Sequence, residues 1–300
     1  MITGRAVSEK PRILIVGTGG RLGSALLREY GKSAEVIGFD RQSLDLGNAE
    51  TVRQVLQPVR FDVLINCAAQ TNVDRCETER AEAWEVNAEA PKVLAEICTR
   101  QGAKLVHIST DYVFDGAKRE PYTETDPAMP VSVYGESKLA GERGVLTSDP
   151  RHLVVRVSWV FGPDRTSFVD GVLENAKNNE TVAAVADKFS TPTYTIDLAA
   201  MLRPFLTDDT SGLLHLTNGG ACSWQEYAQH ALECAHAAGL PLRASKVEAL
   251  ALDEMKNFIA KRPRYTVLST AKYEALSGKK PRPWREAVAE YVSHCASRSG

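Results

Sequence analysis

The chain of 300 residues contains no apolar run approaching the ~18 residues a membrane-crossing helix needs, and its opening, MITGRAVSEKPR, lacks the apolar core of a secretory signal. The expectation is a cytoplasmic protein with no membrane partner. Excess charge is also missing: 36 Lys+Arg stand against 38 Asp+Glu, which gives no general attraction to nucleic acid. Cysteine is sparse, and Cys67, Cys76, Cys98, Cys222, Cys234 and Cys295 form no C-x-x-C pair, which argues against a zinc ribbon or a disulfide-dense scaffold. They read as reduced thiols, mostly buried. Internal repeats and low-complexity segments are absent, and residues 1–10 read as a flexible leader. What the chain does have is apolar content, 43% against 25% charged, enough for a large core and a second lobe.

Short β-branched runs alternate with helical spacing through the first half. Arg12–Gly17, Glu35–Asp40, Val63–Ala69, Lys104–Thr110 and Leu153–Ser158 read as strands, the first continuously apolar as in a sheet covered on both faces. Between them lie amphipathic segments near 22–30 and 49–58, a helical stretch over 74–101 broken at Pro91, and a helix carrying Tyr134. The pattern predicts an α/β fold: a Rossmann-type, doubly wound parallel sheet with its ligand crevice at the carboxyl ends of the strands. Beyond residue 160 the alternation loosens into helices near 167–178, 196–206 and 223–238 and short strands at 182–186 and 212–217. Residues 11–158 with 188–210 are expected to form the dinucleotide-binding domain, and 159–187 with 211–300 a smaller C-terminal substrate-binding lobe.

Gly17-Thr-Gly19-Gly20-Arg21-Leu22-Gly23 follows the first strand and opens a helix. Gly17 and Gly20 allow a sharp turn close to a pyrophosphate, Gly23 allows close helix–sheet packing, and the helix N-terminus offers free N–H donors to phosphate. Gly19, Arg21 and Leu22 belong to the same cofactor-binding turn. A glycine turn without a ligand is the plain alternative, which the strand-turn-helix context opposes. Asp40, ending the second strand, is placed for the adenosine ribose hydroxyls and favours NADH; Arg41 beside it is placed for a 2′-phosphate, so NADPH stays open. Asp45 and Leu46 are candidates for the adenine edge.

Tyr134 and Lys138 stand one helical turn apart. The spacing alone is weak, since nine tyrosines and 36 basic residues give roughly one such pair by chance, and a solvated helix face would explain it. Beside a nucleotide turn it gains chemical sense. A phenol that exchanges a proton with a substrate oxygen works best with its pKa brought down toward neutrality, and a nearby ammonium favours phenolate. Thr110, ending the fourth strand, is the hydroxyl expected to orient a substrate carbonyl.

These residues resemble the extended short-chain dehydrogenase/reductases and, within them, the dTDP-4-dehydrorhamnose reductase family over about residues 12–292. The resemblance is carried by Asn66-Cys-Ala-Ala-Gln-Thr-Asn-Val-Asp74, His107-Ile-Ser-Thr-Asp-Tyr-Val-Phe-Asp-Gly116, Val133-Tyr-Gly-Glu-Ser-Lys-Leu-Ala-Gly-Glu142 and Arg156-Val-Ser-Trp-Val-Phe-Gly162. It implies hydride transfer from NADPH or NADH to C4 of a nucleotide-linked 4-keto-6-deoxysugar. Tyr134 would protonate the alkoxide, Lys138 would acidify Tyr134 and anchor the cofactor ribose, and Thr110 would bind the carbonyl. Cys67, Ala68, Ala69 and Gln70 would line the cofactor. Thr71, Tyr112 and Trp159 would contact the sugar, with a core tryptophan an equal reading of Trp159. Asn87 either orders the site or caps a helical break.

Two departures from the family pattern stand out. Tyr265 and Thr266 occupy the Asn-Ser pair of a C-terminal R-P-x-N-S run, which bears on sugar or nucleotide specificity. Ala25 stands where some members carry a glutamate that binds magnesium at a dimer interface, so no such metal is expected; a homodimer is compatible with the sequence. Two rival functions share the resemblance: a non-catalytic subunit like the regulatory subunit of methionine adenosyltransferase, and a nucleotide-sugar epimerase.

Overall fold

The structure, a computed structural model, describes residues 10–299. The leader expected at 1–10 lies outside them save for Lys10. Five strands, β1 (Arg12–Val16), β2 (Glu35–Phe39), β3 (Val63–Asn66), β4 (Lys104–Thr110) and β5 (Leu153–Val157), join the strand Gly212–His215 in one parallel sheet. The spatial order is 212–215, β5, β4, β3, β1, β2. The chain leaves β1 in one direction to β2 and returns on the other side to β3, so the order reverses between β1 and β3 and opens a crevice at their carboxyl ends.

Period-two alternation carries the apolar residues of the strands to both faces of the sheet, each covered by helices. Ile13, Ile15, Val63, Ile65 and Val106 face one layer, with Leu22, Leu26 and Tyr30 of α1 (Arg21–Gly31) and Leu198 and Leu202 of the helix Thr195–Leu202. Leu14, Val16, Leu64, Leu105 and Val154 face the opposite layer, with Val52 and Leu56 of α2 (Ala49–Leu56) and Leu94 and Ile97 of the helix Ala90–Gln101. A third cluster, from Phe161 and Val172 to Tyr227, Trp284 and Val292, forms around the helices Phe168–Asn178, Trp224–Ala237 and Trp284–Ser299. No helix among the described residues is long and apolar enough to cross a membrane.

Three sequence expectations need correction. The strand Gly212–His215 pairs with β5 and completes the main sheet instead of belonging to the lobe expected from residue 211 onward. Its four residues are too short to announce their partner. The stretch over 74–101 does not break at Pro91. It divides at Glu79 into α3 (Val73–Thr78) and α4 (Arg80–Trp84), widens into a π-helical turn at Glu85–Glu89, and continues as α5 (Ala90–Gln101) with Pro91 in its first turn. Proline is tolerated there because its missing N–H belongs to the region where i→i−4 bonding is already interrupted. The helix expected over 196–206 is α-helical only to Leu202, then tightens to a 3-10 turn at Arg203–Leu206 around Pro204.

Candidate active site

At the carboxyl ends of β1, β3 and β4 lies a cavity of about 870 Å³. Gly17, Gly19, Gly20, Arg21 and Leu22 line it, as do Asp40, Arg41, Asp45, Leu46, Cys67, Ala68, Ala69, Gln70, Thr71, Thr110, Tyr112, Tyr134, Lys138 and Trp159. Gly23 stands back from the wall. Its role is steric: a Cβ there would meet the Gly17 carbonyl oxygen at 2.2 Å. Gly17 has φ +89°, and a Cβ on it would strike the Ala68 nitrogen at 2.6 Å, so only glycine lets the β1 turn approach the chain after β3. Gly20 is different. It is the N-cap of α1 with an extended φ of −88° and no side-chain cap, which leaves the first N–H groups of the helix facing the crevice.

That cradle fits the diphosphate of a dinucleotide. Asp40 sits where the ribose was expected, but its Oδ1 accepts from the Gln42 N–H (3.1 Å), the Ser43 N–H (2.9 Å) and the Ser43 hydroxyl (2.7 Å), which hold the carboxyl below its ordinary range. Arg41 reaches Glu82 at 3.2 Å, and Glu82 also holds Arg75. The Arg21 guanidinium donates to the carbonyls of Val160, Arg165 and Thr166, tying the first helix to the segment after β5.

Asn87 orders the opposite wall. From the π-helical turn its Oδ1 accepts the Gln70 N–H at 2.8 Å, while its Nδ2 donates to the Gln70 carbonyl and the Ser137 hydroxyl, both at 3.1 Å. The segment 68–70 is thereby clamped to α6 (Val133–Ser148), whose N-terminus is capped by Ser132. That helix presents Tyr134 and Lys138 to the cavity and Glu142 to the core.

The Tyr134 ring stands edge-on to Tyr112, centroids 5.6 Å apart. Burial pushes its phenol well above the ordinary value, and the Thr110 hydroxyl pulls it part of the way back. The expected acidification by Lys138 is therefore reversed in direction here. The physical reason is burial, which the lysine does not offset: it donates to the Ile108 carbonyl at 2.7 Å and lies 3.3 Å from His107 Nε2. Lys138 itself is brought down to about 8 by burial, opposed by Glu142. Thr110 donates to Asp111 Oδ1 at 3.1 Å, and Asp111 Oδ2 receives the Ser158 hydroxyl at 2.9 Å. Asp111, Ser158, Asn66 and His107 were missed as contributors; His107 and Asp111 flank the Ser109-Thr110 strand end, the one signal that pointed to them.

Trp159 lines the cavity and also packs on Phe168, Trp224 and Tyr227 at 5.1, 5.5 and 4.7 Å. Its φ of +45° makes it the one non-glycine residue in the left-handed region among those described, a strained position of the kind that clusters at functional sites.

Tyr265 and Thr266 are absent from the cavity wall. Thr266 is buried, its N–H bonded to the Phe189 carbonyl at 2.8 Å, and the Tyr265 ring neighbours that of Phe189 at 6.5 Å. Their run docks through Arg262, which grips Asp74 at 3.0 and 2.7 Å, while Asp74 Oδ1 also accepts the N–H groups of Ile259 and Ala260. Arg262 holds the Asp74 carboxyl down to about 2. A depressed carboxyl stabilises the fold above its unfolded pKa of ~4 and loses that contribution as pH falls toward the folded value. Asp74→Asn is expected to lower stability by about 1–3 kcal/mol at neutral pH. Its unfolding midpoint should also fall less steeply than the parent's between about pH 4 and 2; parallel acid profiles would refute the assignment.

Residues 11–297 match the family described as the RmlD substrate binding domain. The chain belongs to this family. Among RmlD relatives, the chain is 35% identical over 286 residues to the dTDP-4-dehydrorhamnose reductase of Aggregatibacter actinomycetemcomitans, covering 92% of this chain and 97% of that protein. It is 36% identical to the spore coat polysaccharide biosynthesis protein SpsK of Bacillus subtilis, covering 95% and 98%. The crystal structure of dTDP-4-dehydrorhamnose reductase from Bacillus anthracis in complex with NADP superposes with a TM-score of 0.88 at 33% identity, covering 95% and 99% of the two chains.

Proposed function

We propose that this RmlD-family chain is an NADPH- or NADH-dependent oxidoreductase that reduces the C4 keto group of a nucleotide-linked 4-keto-6-deoxysugar, converting dTDP-4-dehydrorhamnose to dTDP-L-rhamnose. The observation that carries the reading is the meeting of Thr110, Tyr134 and Lys138 with the glycine turn in one cavity, in a chain whose near-full-length relatives include dTDP-4-dehydrorhamnose reductases.

Gly17, Gly19 and Gly20 with the α1 N-terminus would hold the cofactor diphosphate, Asp40 and Arg41 its adenosine ribose, and the segment 67–70 the opposite side. When bound, the reduced nicotinamide supplies the hydride. The chain's own work is proton delivery and orientation. Burial keeps Tyr134 protonated, the state a proton donor requires, and its phenol gives up that proton to the carbonyl oxygen as charge develops there. Thr110 turns its hydroxyl hydrogen from Asp111 to the same oxygen. Lys138 holds the cofactor ribose, and Thr71, Tyr112 and Trp159 flank the sugar. Of the lobe expected at 159–187 and 211–300, the part outside the strand Gly212–His215 would bind the sugar.

Incubating the purified chain with a panel of dTDP- and UDP-linked 4-keto sugars and either reduced nicotinamide should consume the cofactor in proportion to the keto sugar, fastest with the dTDP substrate. Sugar interconversion without net cofactor loss would instead mark an epimerase, and inertness towards every substrate a binding subunit.

A further inference from the structure

Beneath the cavity, Asn66 and His107 are neighbours in the parallel register of β3 and β4, both fully buried and neither on the cavity wall. Asn66 Nδ2 lies 3.1 Å from His107 Nδ1, Asn66 Oδ1 accepts the Ala68 N–H at 3.1 Å, and His107 Nε2 lies 3.3 Å from Lys138 Nζ. Proton positions along this chain follow from the one group with no choice. A backbone N–H only donates, so Ala68 fixes Oδ1 as the acceptor and turns the amide nitrogen of Asn66 toward the ring. An amide nitrogen only donates, so Nδ1 of His107 is bare and the single proton of the neutral imidazole sits on Nε2. Burial keeps that ring neutral. Nε2–H therefore faces the lysine. An ammonium has three hydrogens and no lone pair, so it has nothing with which to accept this hydrogen; a neutral amine accepts it and still donates to Ile108.

We propose that Asn66 and His107 are positioning residues that hold a hydrogen-bond donor against Lys138 and so favour its neutral amine. The proposal rests on the reading of Lys138 as part of the catalytic site. The other titratable groups facing Lys138 are Glu142, one turn on and bound to Arg156 of β5, and the Cys67 thiol after β3. Glu142 and Cys67 favour the ammonium, and burial opposes it.

Long-range proton–nitrogen NMR of the ligand-free chain reads the tautomer directly, with His107 identified among the six histidines by its loss in His107→Gln. The expected result is a neutral ring protonated at Nε2 with a bare Nδ1 at neutral pH. Protonation at Nδ1, or a charged ring, overturns the proposal. Two variants extend the test. Asn66→Asp keeps the acceptor for Ala68 but replaces the donor to the ring with an acceptor, moving the proton to Nδ1. His107→Phe removes the donor without adding charge. In both, the Lys138 titration, followed at its Cε carbon, should shift up by about one pH unit, and the alkaline limb of kcat should move with it. An unmoved titration in the folded variants also overturns it. Absence of turnover with the Nε2 tautomer intact would count against the reductase reading and leave the hydrogen-bond assignment standing.

Discussion

Tyr134→Phe is expected to lower kcat by about 10²–10⁴-fold while leaving the dissociation constant of the nicotinamide cofactor nearly unchanged, the effect of removing a general acid. The substitution is a clean one here. The Tyr134 ring is held by Val133, Ala83 and Cys76 and stands edge-on to Tyr112, contacts that phenylalanine keeps. Only the hydroxyl is lost, and with it the proton that the phenol carries in this buried site. A loss confined to KM would instead assign the hydroxyl to sugar binding, and undiminished turnover would remove Tyr134 from the chemistry. Stopped-flow single-turnover measurements with cofactor titrations separate these outcomes.

What the sequence disclosed and what it concealed divide along contact range. The glycine turn, the strand ends and the Tyr134 helix were legible because each is a local pattern: apolar runs of strand length, glycines where the backbone must bend or be approached, a capping serine ahead of α6. The same locality explains the failures. Nothing within Gly212–His215 says that it pairs with β5. Arg21 lines the cavity from the glycine turn, but nothing local shows that it also reaches the carbonyls of residues 160–166 across the crevice. The acidification of Tyr134 by Lys138 followed from helical spacing, whereas the lysine's actual direction is set by Ile108 and His107 on β4. Tyr265 and Thr266 looked like specificity residues by their place in a motif, but their partner Phe189 draws them away from the cavity. A local pattern tells which residues are available; the register of distant strands decides where their side chains point.

The second large effect is structural and lies under the same helix. Glu142 follows Lys138 by one turn on α6 and is 1% exposed. It receives Arg156 Nε at 2.8 Å and Nη2 at 2.6 Å, a bidentate pair, and the Ser109 hydroxyl at 2.6 Å. Arg156 is equally buried and stacks over Phe114 at 5.0 Å. Removing the carboxylate strands a guanidinium that has no route to water, so Glu142→Ala is expected to destabilise the fold by about 3–5 kcal/mol. Joint replacement, Glu142→Leu with Arg156→Met, removes both charges and should recover most of that loss, because a buried pair's attraction roughly offsets its desolvation. Denaturant unfolding of the single and double variants measures both. A cost below about 1 kcal/mol in Glu142→Ala would mean that water reaches Arg156, contrary to its burial. The double variant carries a further consequence. With Glu142 gone, the larger of the two influences that favour the Lys138 ammonium is gone too, so the lysine should titrate below its value of about 8 and the alkaline limb of turnover should move down. This is the opposite direction from His107→Phe, so the two neighbours of Lys138 push its proton in opposite senses and a pair of pH profiles tells them apart.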